Sequence, residues 1–298
     1  MNSASKGLLF AIFTAMLWGV LAIVLKIAMA VVPPETMAWF RFSIAFLSLL
    51  VYALITQPKR FSIFKRPPLL IVFAGIFLGI NYFGFIKGIY LTTPSVVQIF
   101  IQTGPIALAV IGIVFFKEKI VLRQWLGLVI VIVGITTFYN QQISGFWAGA
   151  SQFRKGVALV FLGAAAWTAY SVIQKVMVHK YHPVSLNLIV FLVPSILYLP
   201  FVDFSVFLKM DWLTWVLVIF LGLNTVLAYG SLSIALKYAE ANRVSMIIIL
   251  NPIITFIILG FLNFYQVTWA PRENYTWLTI FGAITALTGA LLVVLKKK

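Results

Sequence analysis

Apolar runs of about 20 residues recur along the whole chain, separated by short breaks that carry prolines or charged residues. A run of this length crosses the hydrocarbon core of a bilayer as one helix. Only 9% of the residues are charged and the mean hydropathy is +1.09, whereas a soluble domain carries about 25% charge. The sequence therefore predicts an all-α polytopic membrane protein.

Turn and charge signals divide the apolar runs into ten predicted spans. The breaks include "VPPE" at 32–35, "QPKRFSIFKRPP" at 57–68 and "WAPREN" at 269–274. The predicted transmembrane helices are 7–30, 35–56, 68–91, 94–116, 121–139, 155–178, 183–201, 212–237, 241–264 and 274–295. Because the longest polar connection lies mid-chain, we expect three parts: a first five-helix repeat over 1–140, a connecting loop over 141–154 and a second five-helix repeat over 155–298.

The basic residues indicate how the chain is oriented. Most of the 22 lysines and arginines fall in loops and tails on the side of the membrane that holds the N-terminus. Because cytoplasmic loops are enriched in these residues, both termini are predicted in the cytoplasm, with the chain in the inner (plasma) membrane. The net charge of +16 thus indicates a lipid bilayer as partner and no nucleic acid, since no polar domain exists to bind one.

Two short stretches repeat in the two halves of the chain. "WGVLAIVLK" at 18–26 and "WTAYSVIQK" at 167–175 keep a tryptophan and a lysine at the same spacing, and Pro34 recurs as Pro183 with the same offset. Five spans in each half is an odd number, so the second copy crosses the membrane in the opposite sense. Inverted repeats of this kind are typical of secondary transporters, whose substrate site lies near the membrane midplane.

Longer motifs follow the same frame. They are "LWG…K" in the first span, "PPETMAWFRF", "TTPSVVQIFIQTGPI", "FFKEKIVLRQWLG", "AAAWTAYSVIQK" and "ALKYAEANRVSMIIILNPI". In these motifs the chain resembles the drug/metabolite transporter superfamily, in its ten-helix EamA-like branch, over essentially its full length. The family's acidic residue after the ninth span is absent, with Tyr265 and Gln266 where Glu118 and Lys119 would suggest it. The resemblance implies a carrier of amino acids or other small metabolites, often outward.

Polar and aromatic side chains inside the predicted spans are the candidate substrate-binding residues. Such groups are costly in a membrane and usually face the interior of a helix bundle. The candidates are Trp18, Asn81, Gln98, Gln102, Trp167, Tyr170, Gln174, Asn224 and Tyr229. Plain packing, or a hydrogen bond between helices, is the alternative role for each of them.

Pro105 and Pro252 lie inside the fourth and ninth predicted spans. Because a proline has no N–H, the carbonyl groups of Ile101 and Ile248 lose their helical partners and a kink is expected. A kinked span can bend between inward-open and outward-open states, so both prolines are candidate hinges.

Three basic residues, Lys26, Arg41 and Lys87, lie in the outer parts of their predicted spans. One interpretation is that their side chains extend to the outer lipid headgroups. The other is that they attract anionic or carboxylate-bearing substrates to the outer mouth. Glu35 is expected to pair with Lys26 or Arg41 in an extracellular gate, and Lys175 is expected to anchor its helix at the inner face.

The acidic residues all fall in or beside connections between spans. They are Glu35, Glu118, Asp203, Asp211, Glu240 and Glu273. No carboxylate is therefore predicted at the midplane to relay protons or bind sodium. This pattern favours facilitated diffusion or exchange, with no cofactor and no metal site. Coupling through backbone carbonyls or through deprotonation of a lysine is the alternative.

Together these observations predict a secondary transporter, an exporter or facilitator of small molecules such as amino acids, working by alternating access. A carrier of nucleotide-like or other anionic metabolites is one alternative, and a non-transporting membrane scaffold or receptor is another. The spans contain no clustered His, Asp and Glu and no phosphate-binding glycine loop, so no enzyme is expected. A homodimer is left open.

Overall fold

The structure of the chain, a computed structural model, describes residues 3–92, 94–119, 121–138, 140, 151–267 and 276–294. Its regular secondary structure, within these residues, is helical. The α-helices are α1 Ser3–Ala28, α2 Pro34–Thr56, α3 Leu69–Leu91, α4 Pro94–Phe100, α5 Thr103–Val114, α6 Leu122–Phe138, α7 Ser151–Met177, α8 Pro183–Tyr198, α9 Trp212–Tyr238, α10 Ala241–Ile248, α11 Asn251–Phe264 and α12 Trp277–Val294. Short 3₁₀ segments lie in the connections at Pro58–Lys65, Leu199–Phe201 and Phe204–Leu208.

Eight stretches of the described chain are helical, long and apolar enough to cross a membrane. Two of them, Val96–Val114 and Ala241–Phe264, each combine two consecutive helices, α4 with α5 and α10 with α11. The helices at Leu122–Phe138 and Trp277–Gly289 are apolar but shorter. The predicted polytopic all-helical fold is confirmed, whereas the number of ten spans stays a prediction.

The ends of the helices follow local sequence signals. Pro34 and Pro183 are the first residues of α2 and α8, where the missing N–H of proline costs no helical hydrogen bond. Asp211 caps α9, since its Oδ1 accepts a hydrogen bond of 2.9 Å from the backbone N–H of Thr214. Helix α7 begins at Ser151 and so extends into the predicted connecting loop over 141–154.

The fourth and ninth spans each have a short break in their helical hydrogen bonding. Helix α4 ends at Phe100 and α5 begins at Thr103, and α10 ends at Ile248 and α11 begins at Asn251. Pro105 and Pro252 each lie in the first turn of the helix that follows the break, where proline is tolerated. The Ile101 carbonyl does not lack a partner, because it accepts a hydrogen bond of 3.0 Å from the N–H of Gly104.

Helices of the first half pack against helices of the second half. The main pairs are α3 with α7, α1 with α9, α2 with α8 and α6 with α12. Small residues allow the close approach, since a Cβ at Gly84 would overlap the Leu159 carbonyl of α7 and one at Gly134 would overlap Ala286 of α12. A cavity lies between these packed helices.

The two ends of the bundle are defined here by α1. At the near end, where α1 begins, Lys6 lies over the ring of Tyr238 at the end of α9, with its Nζ 5.0 Å from the ring centroid. At the far end, the hydroxyl of Thr36 at the start of α2 accepts a hydrogen bond of 3.0 Å from the N–H of Asp203. These contacts place the helix ends of both halves together at each end.

Candidate functional site

A cavity of about 60 Å³ lies where the two broken spans meet α1, α2, α3, α7 and α9. Of the predicted site residues, it is lined by Trp18, Arg41, Asn81, Gln98, Gln102, Pro105, Trp167 and Tyr229. Its volume holds a few water molecules. A substrate the size of an amino acid therefore needs movement of the helices around it.

Aromatic rings form one wall of the cavity. Trp18 packs edge-to-face on Trp167 with ring centroids 6.0 Å apart, and on Tyr229 at 5.3 Å. Tyr170 packs behind Tyr229 at 5.7 Å. The first helix of each half supplies one tryptophan, as the repeat predicts, and both indoles lie against the cavity rather than at the ends of their helices.

Two amide side chains meet at the breaks of the broken spans. Gln102, beside the first break, donates from Nε2 to Asn251 Oδ1, beside the second, at 3.3 Å. The Gln102 Oε1 atom is buried and has no hydrogen-bond partner in the described part of the chain. A buried amide oxygen without a partner is costly, and a substrate N–H would satisfy it.

Arg41 is a buried cation in the cavity wall and is 1% exposed. Its Nη2 donates to the hydroxyl of Tyr82 at 3.0 Å and its Nε to Thr225 Oγ1 at 3.2 Å. Among the described residues, no Asp or Glu lies within ion-pairing distance of its guanidinium. The interpretation that Arg41 extends to the lipid headgroups is therefore wrong, because α2 turns this side chain into the bundle.

The other outer cations have different surroundings. Lys26 is exposed, which fits a side chain extending toward headgroups. Lys87 forms an ion pair with Glu35, with its Nζ 2.6 Å from Oε1 of the glutamate. The expected pairing of Glu35 with Lys26 or Arg41 is thus wrong, because α3 brings Lys87 to the start of α2 at the far end.

Three of the predicted substrate-binding residues, Tyr170, Gln174 and Asn224, lie outside the cavity lining. Gln174 Nε2 donates to Ser233 Oγ at 2.6 Å and to Asn187 Oδ1 at 3.1 Å in a buried polar cluster nearer the near end. Asn224 Nδ2 donates to the Leu17 carbonyl of α1 at 2.9 Å.

Asn224 has a counterpart in Asn81. The Nδ2 of Asn81, which does line the cavity, donates to the Gly163 carbonyl of α7 at 3.0 Å. Both amides thus form hydrogen bonds between helices, which is the alternative to a role in substrate binding.

Sequence reasoning missed Tyr82, Thr225 and Asn251. For Asn251 a signal existed, because it follows Gln102 at the same offset at which Trp167 follows Trp18. For Tyr82 and Thr225 the signal was weaker, since each is an ordinary residue of an apolar helix until Arg41 is placed between them.

A buried ion cluster joins the two halves of the chain at the near end. Glu118, in the turn after α5, accepts hydrogen bonds from the N–H groups of Ala241 at 2.6 Å and Asn242 at 2.9 Å, at the start of α10. Lys175 of α7 lies 3.7 Å from Glu118 and donates to the Ala239 carbonyl at 2.6 Å. This near-end latch, defined as Glu118, Lys175 and the start of α10, joins both halves of the chain.

The turn that carries Glu118 recurs after the ninth span without its carboxylate. Lys117 and Gln266 share a left-handed backbone, each with φ of 53°. The matching turns place Val267 at the position of Glu118, one or two residues from the Tyr265 and Gln266 expected from the motif. Whichever of Tyr265, Gln266 and Val267 is matched to Glu118, this turn at the far end carries no carboxylate.

The chain matches one family model twice, once in each half. The sequence model of the EamA-like transporter family matches residues 5–140 and, separately, residues 154–295. The chain belongs to the EamA-like transporter family. Its two matched stretches correspond to the two halves that supply Trp18 and Trp167.

Relatives of this EamA-like chain along its full length are named as transporters. An uncharacterized transporter of Haemophilus influenzae is 33% identical over 96% of this chain and 94% of its own length. The uncharacterized inner membrane transporter YhbE of Escherichia coli K12 is 27% identical over 97% and 91%. The probable amino-acid metabolite efflux pump of Salmonella typhimurium is 22% identical over 94% and 91%.

The EamA-like chain also shares its fold with a solved structure. A crystal structure of another protein superposes with a TM-score of 0.75 at 15% sequence identity and covers 97% of both chains. At this identity the likeness concerns the fold alone. With the family match, it makes the chain a multi-pass membrane protein of a transporter family.

Proposed function

We propose that this protein is a secondary transporter of small amino acids or closely similar zwitterions, working by alternating access around the central cavity. The observation that carries the proposal is Arg41, a buried cation without an acidic partner among the described residues, in the wall of a cavity that aromatic rings also line. The relative named as an amino-acid metabolite efflux pump supports the same substrate class.

The cavity offers one group for each part of a zwitterion. The guanidinium of Arg41 suits a carboxylate, because two N–H groups can bind its two oxygens. The faces of Trp18, Trp167 and Tyr229 suit an ammonium group through cation–π attraction. The Oε1 atom of Gln102, which has no partner in the described part of the chain, can accept a hydrogen bond from the ammonium group. A bound carboxylate would also neutralise a charge that is costly inside a membrane.

Ten helices in two inverted repeats are the architecture that we propose for this transport. The two separate family matches support it. So does the reciprocal packing, since Asn81 of the third span bonds to α7 and Asn224 of the eighth bonds to α1. With the near end in the cytoplasm, as the basic residues predict, the near-end latch is an inner gate and the Glu35–Lys87 pair an outer one.

We infer that transport follows the substrate gradient by facilitated diffusion or exchange. In the described part of the chain no Asp or Glu lines the cavity, so the cavity residues supply no carboxylate for a proton relay. The charged groups of the gates are all at the ends of the bundle.

Counterflow in proteoliposomes tests the proposal. Vesicles loaded with one unlabelled amino acid should accumulate the labelled form transiently, and Arg41→Gln should lower the rate at least tenfold. Lys26→Gln, which removes an exposed cation from α1, is the matched control and should leave the rate unchanged. A full panel of amino acids without counterflow would overturn the amino-acid proposal.

A carrier of anionic metabolites is the second candidate, and the same unpaired Arg41 favours it. Such a carrier would show counterflow with nucleotides or phosphorylated metabolites and none with zwitterions. A scaffold or receptor would show no flux with either panel.

A further inference from the structure

A second cavity, of about 220 Å³, opens at the near end between α1, α2, α8 and α9, and it is separate from the central cavity. We call it the near crevice. Basic side chains, Lys6, His182 and Lys237, lie at its mouth, and apolar side chains, Phe10, Leu49 and Ile234, form its walls. A cationic mouth above an apolar channel matches the two parts of a phospholipid.

The cations of the near crevice have no acidic partner. Lys6 and Lys237 lie over the same ring of Tyr238, with Nζ atoms 5.0 Å and 5.6 Å from its centroid. No Asp or Glu of the described residues is within ion-pairing distance of either ammonium. Burial lowers the pKa of His182, and the charges of Arg60 and Lys237 lower it further. Lys6 and Lys237, and not the imidazole of His182, therefore make the crevice a site of positive potential.

The crevice also has free space at the level of the acyl chains. A Cβ at Gly230 of α9 would meet no atom within 4 Å, so this glycine leaves a gap on the helix face. Gly230 lines the crevice together with Val226 and Ile234, one helical turn away on either side. An acyl chain packed along this face would fill the gap.

The groove at the far end, which we call the far crevice, has no room for a water molecule. It is lined by Glu35, Lys87 and Tyr198, and its lysine is neutralised by its own glutamate. Among the described residues, the near crevice is lined by two lysines and by no acidic side chain. In the far crevice the chain itself supplies the anion that pairs with Lys87. In the near crevice, the described residues supply no anion for Lys6 and Lys237.

We propose that the near crevice binds an anionic phospholipid of the leaflet at that end of the bundle. The phosphate contacts Lys6 and Lys237, and one acyl chain runs past Gly230 between α1 and α9. Basic pockets between membrane helices attract anionic headgroups in this way. The bound lipid then stabilises the folded protein by mass action.

Thermal unfolding and native mass spectrometry of the purified protein test this site. Phosphatidylglycerol should raise the unfolding temperature and bind in discrete copies, whereas phosphatidylcholine should do neither. Lys6→Gln and Lys237→Gln should each weaken phosphatidylglycerol binding by about fivefold. Lys209→Gln, which removes an exposed lysine at the far end, is the matched control and should change nothing.

Filling the crevice gives an independent arm of the test. Gly230→Leu should fold, since the glycine faces open space, and should lose the response to phosphatidylglycerol; Gly230→Ala should keep most of it. Equal responses to the two lipids, or unchanged binding by the lysine variants, would overturn the proposal. Stabilisation by inorganic phosphate alone would assign a free-anion site instead. A Gly230→Leu variant that loses transport but keeps lipid binding would identify a substrate passage and also overturn it.

Discussion

At the near end a glutamate accepts two backbone hydrogen bonds and contacts a lysine, whereas at the far end a glutamate and a lysine make one ion pair. The near-end side chains, Glu118 and Lys175, are 7% and 12% exposed. Those at the far end, Glu35 and Lys87, are 26% and 28% exposed. The same pair of residue types is thus more deeply buried at the near end than at the far end.

The difference in burial sets the difference in energy. An exposed ion pair contributes about 0–1 kcal/mol to stability. Removing one partner of a buried pair costs about 3–5 kcal/mol, because the other charge is left without compensation. Glu118 also lies at the positive end of the α10 dipole. We therefore expect a resting state in which the near end is closed firmly and the far end weakly.

The largest effect is expected from Glu118→Gln. This change removes the acid that pairs with Lys175 and leaves only the weaker attraction of Glu240, so it should lower the free energy of unfolding by about 3 kcal/mol. It should also open the near end. The chain has no cysteine, so Ser171→Cys, between Trp167 and the latch on α7, is a unique labelling site. We expect faster maleimide labelling of that cysteine in the Glu118→Gln background.

Glu240→Gln is the control for that experiment. Glu240 lies just before α10 and attracts Lys175 more weakly than Glu118 does, but it pairs with Arg243 at 2.9 Å and both of those side chains are more exposed than the latch pair. If Glu118→Gln and Glu240→Gln lowered stability equally and left labelling unchanged, the firm latch would be refuted.

A smaller effect is expected from removing both charges of the latch. The double variant Glu118→Gln with Lys175→Gln has no buried charge left unpaired. It should regain about 1–2 kcal/mol relative to Glu118→Gln alone, measured by a double-mutant cycle in denaturant. Additive losses would show that Glu118 acts through the start of α10 and not through Lys175.

Neutralising the far-end pair should have a still smaller effect. Glu35→Gln and Lys87→Gln should each lower stability by at most about 1 kcal/mol. Because partly exposed pairs are screened by salt, raising the ionic strength should shrink the difference from the unmodified protein. A loss as large as that of Glu118→Gln would remove the contrast between the two ends.

The smallest effect concerns Asp211, the far-end cap of α9. Hydrogen bonds from the side chain and backbone of Thr214 hold its pKa below the usual value. The cap therefore contributes stability above the unfolded-state pKa of about 4 and loses it as the pH falls through the lowered value. Asp211→Asn, which keeps a capping side chain, should flatten this part of the acid unfolding curve. An unchanged curve would contradict the role of the charge.

Much of the fold followed from sequence, and much of the site did not. The tryptophans of the cavity were predictable because the repeat fixes their depth in two helices, and the breaks were signalled by Pro105 and Pro252. Arg41 and Lys26 could not be told apart, since both are cations in the outer half of a span. Which of them faces inward depends on how α2 packs on α8 and α9.

The latch was equally hidden in the sequence. Glu118 and the start of α10 are distant in the chain, and no local spacing indicates that they meet. The turn at Lys117 brings them together, and its counterpart at Gln266 has the same backbone without the acid.

Ligand binding to purified protein tests most directly whether Arg41 binds the carboxylate of a zwitterionic substrate. For an amino acid that shows counterflow, the affinities of the acid and of its uncharged amide are measured by titration calorimetry with the unmodified protein, Arg41→Gln and Lys26→Gln. We expect the unmodified protein and Lys26→Gln to prefer the acid at least tenfold, and Arg41→Gln to show no preference. Equal binding of acid and amide by the unmodified protein, or a preference that survives Arg41→Gln, would contradict the proposed role of the cavity.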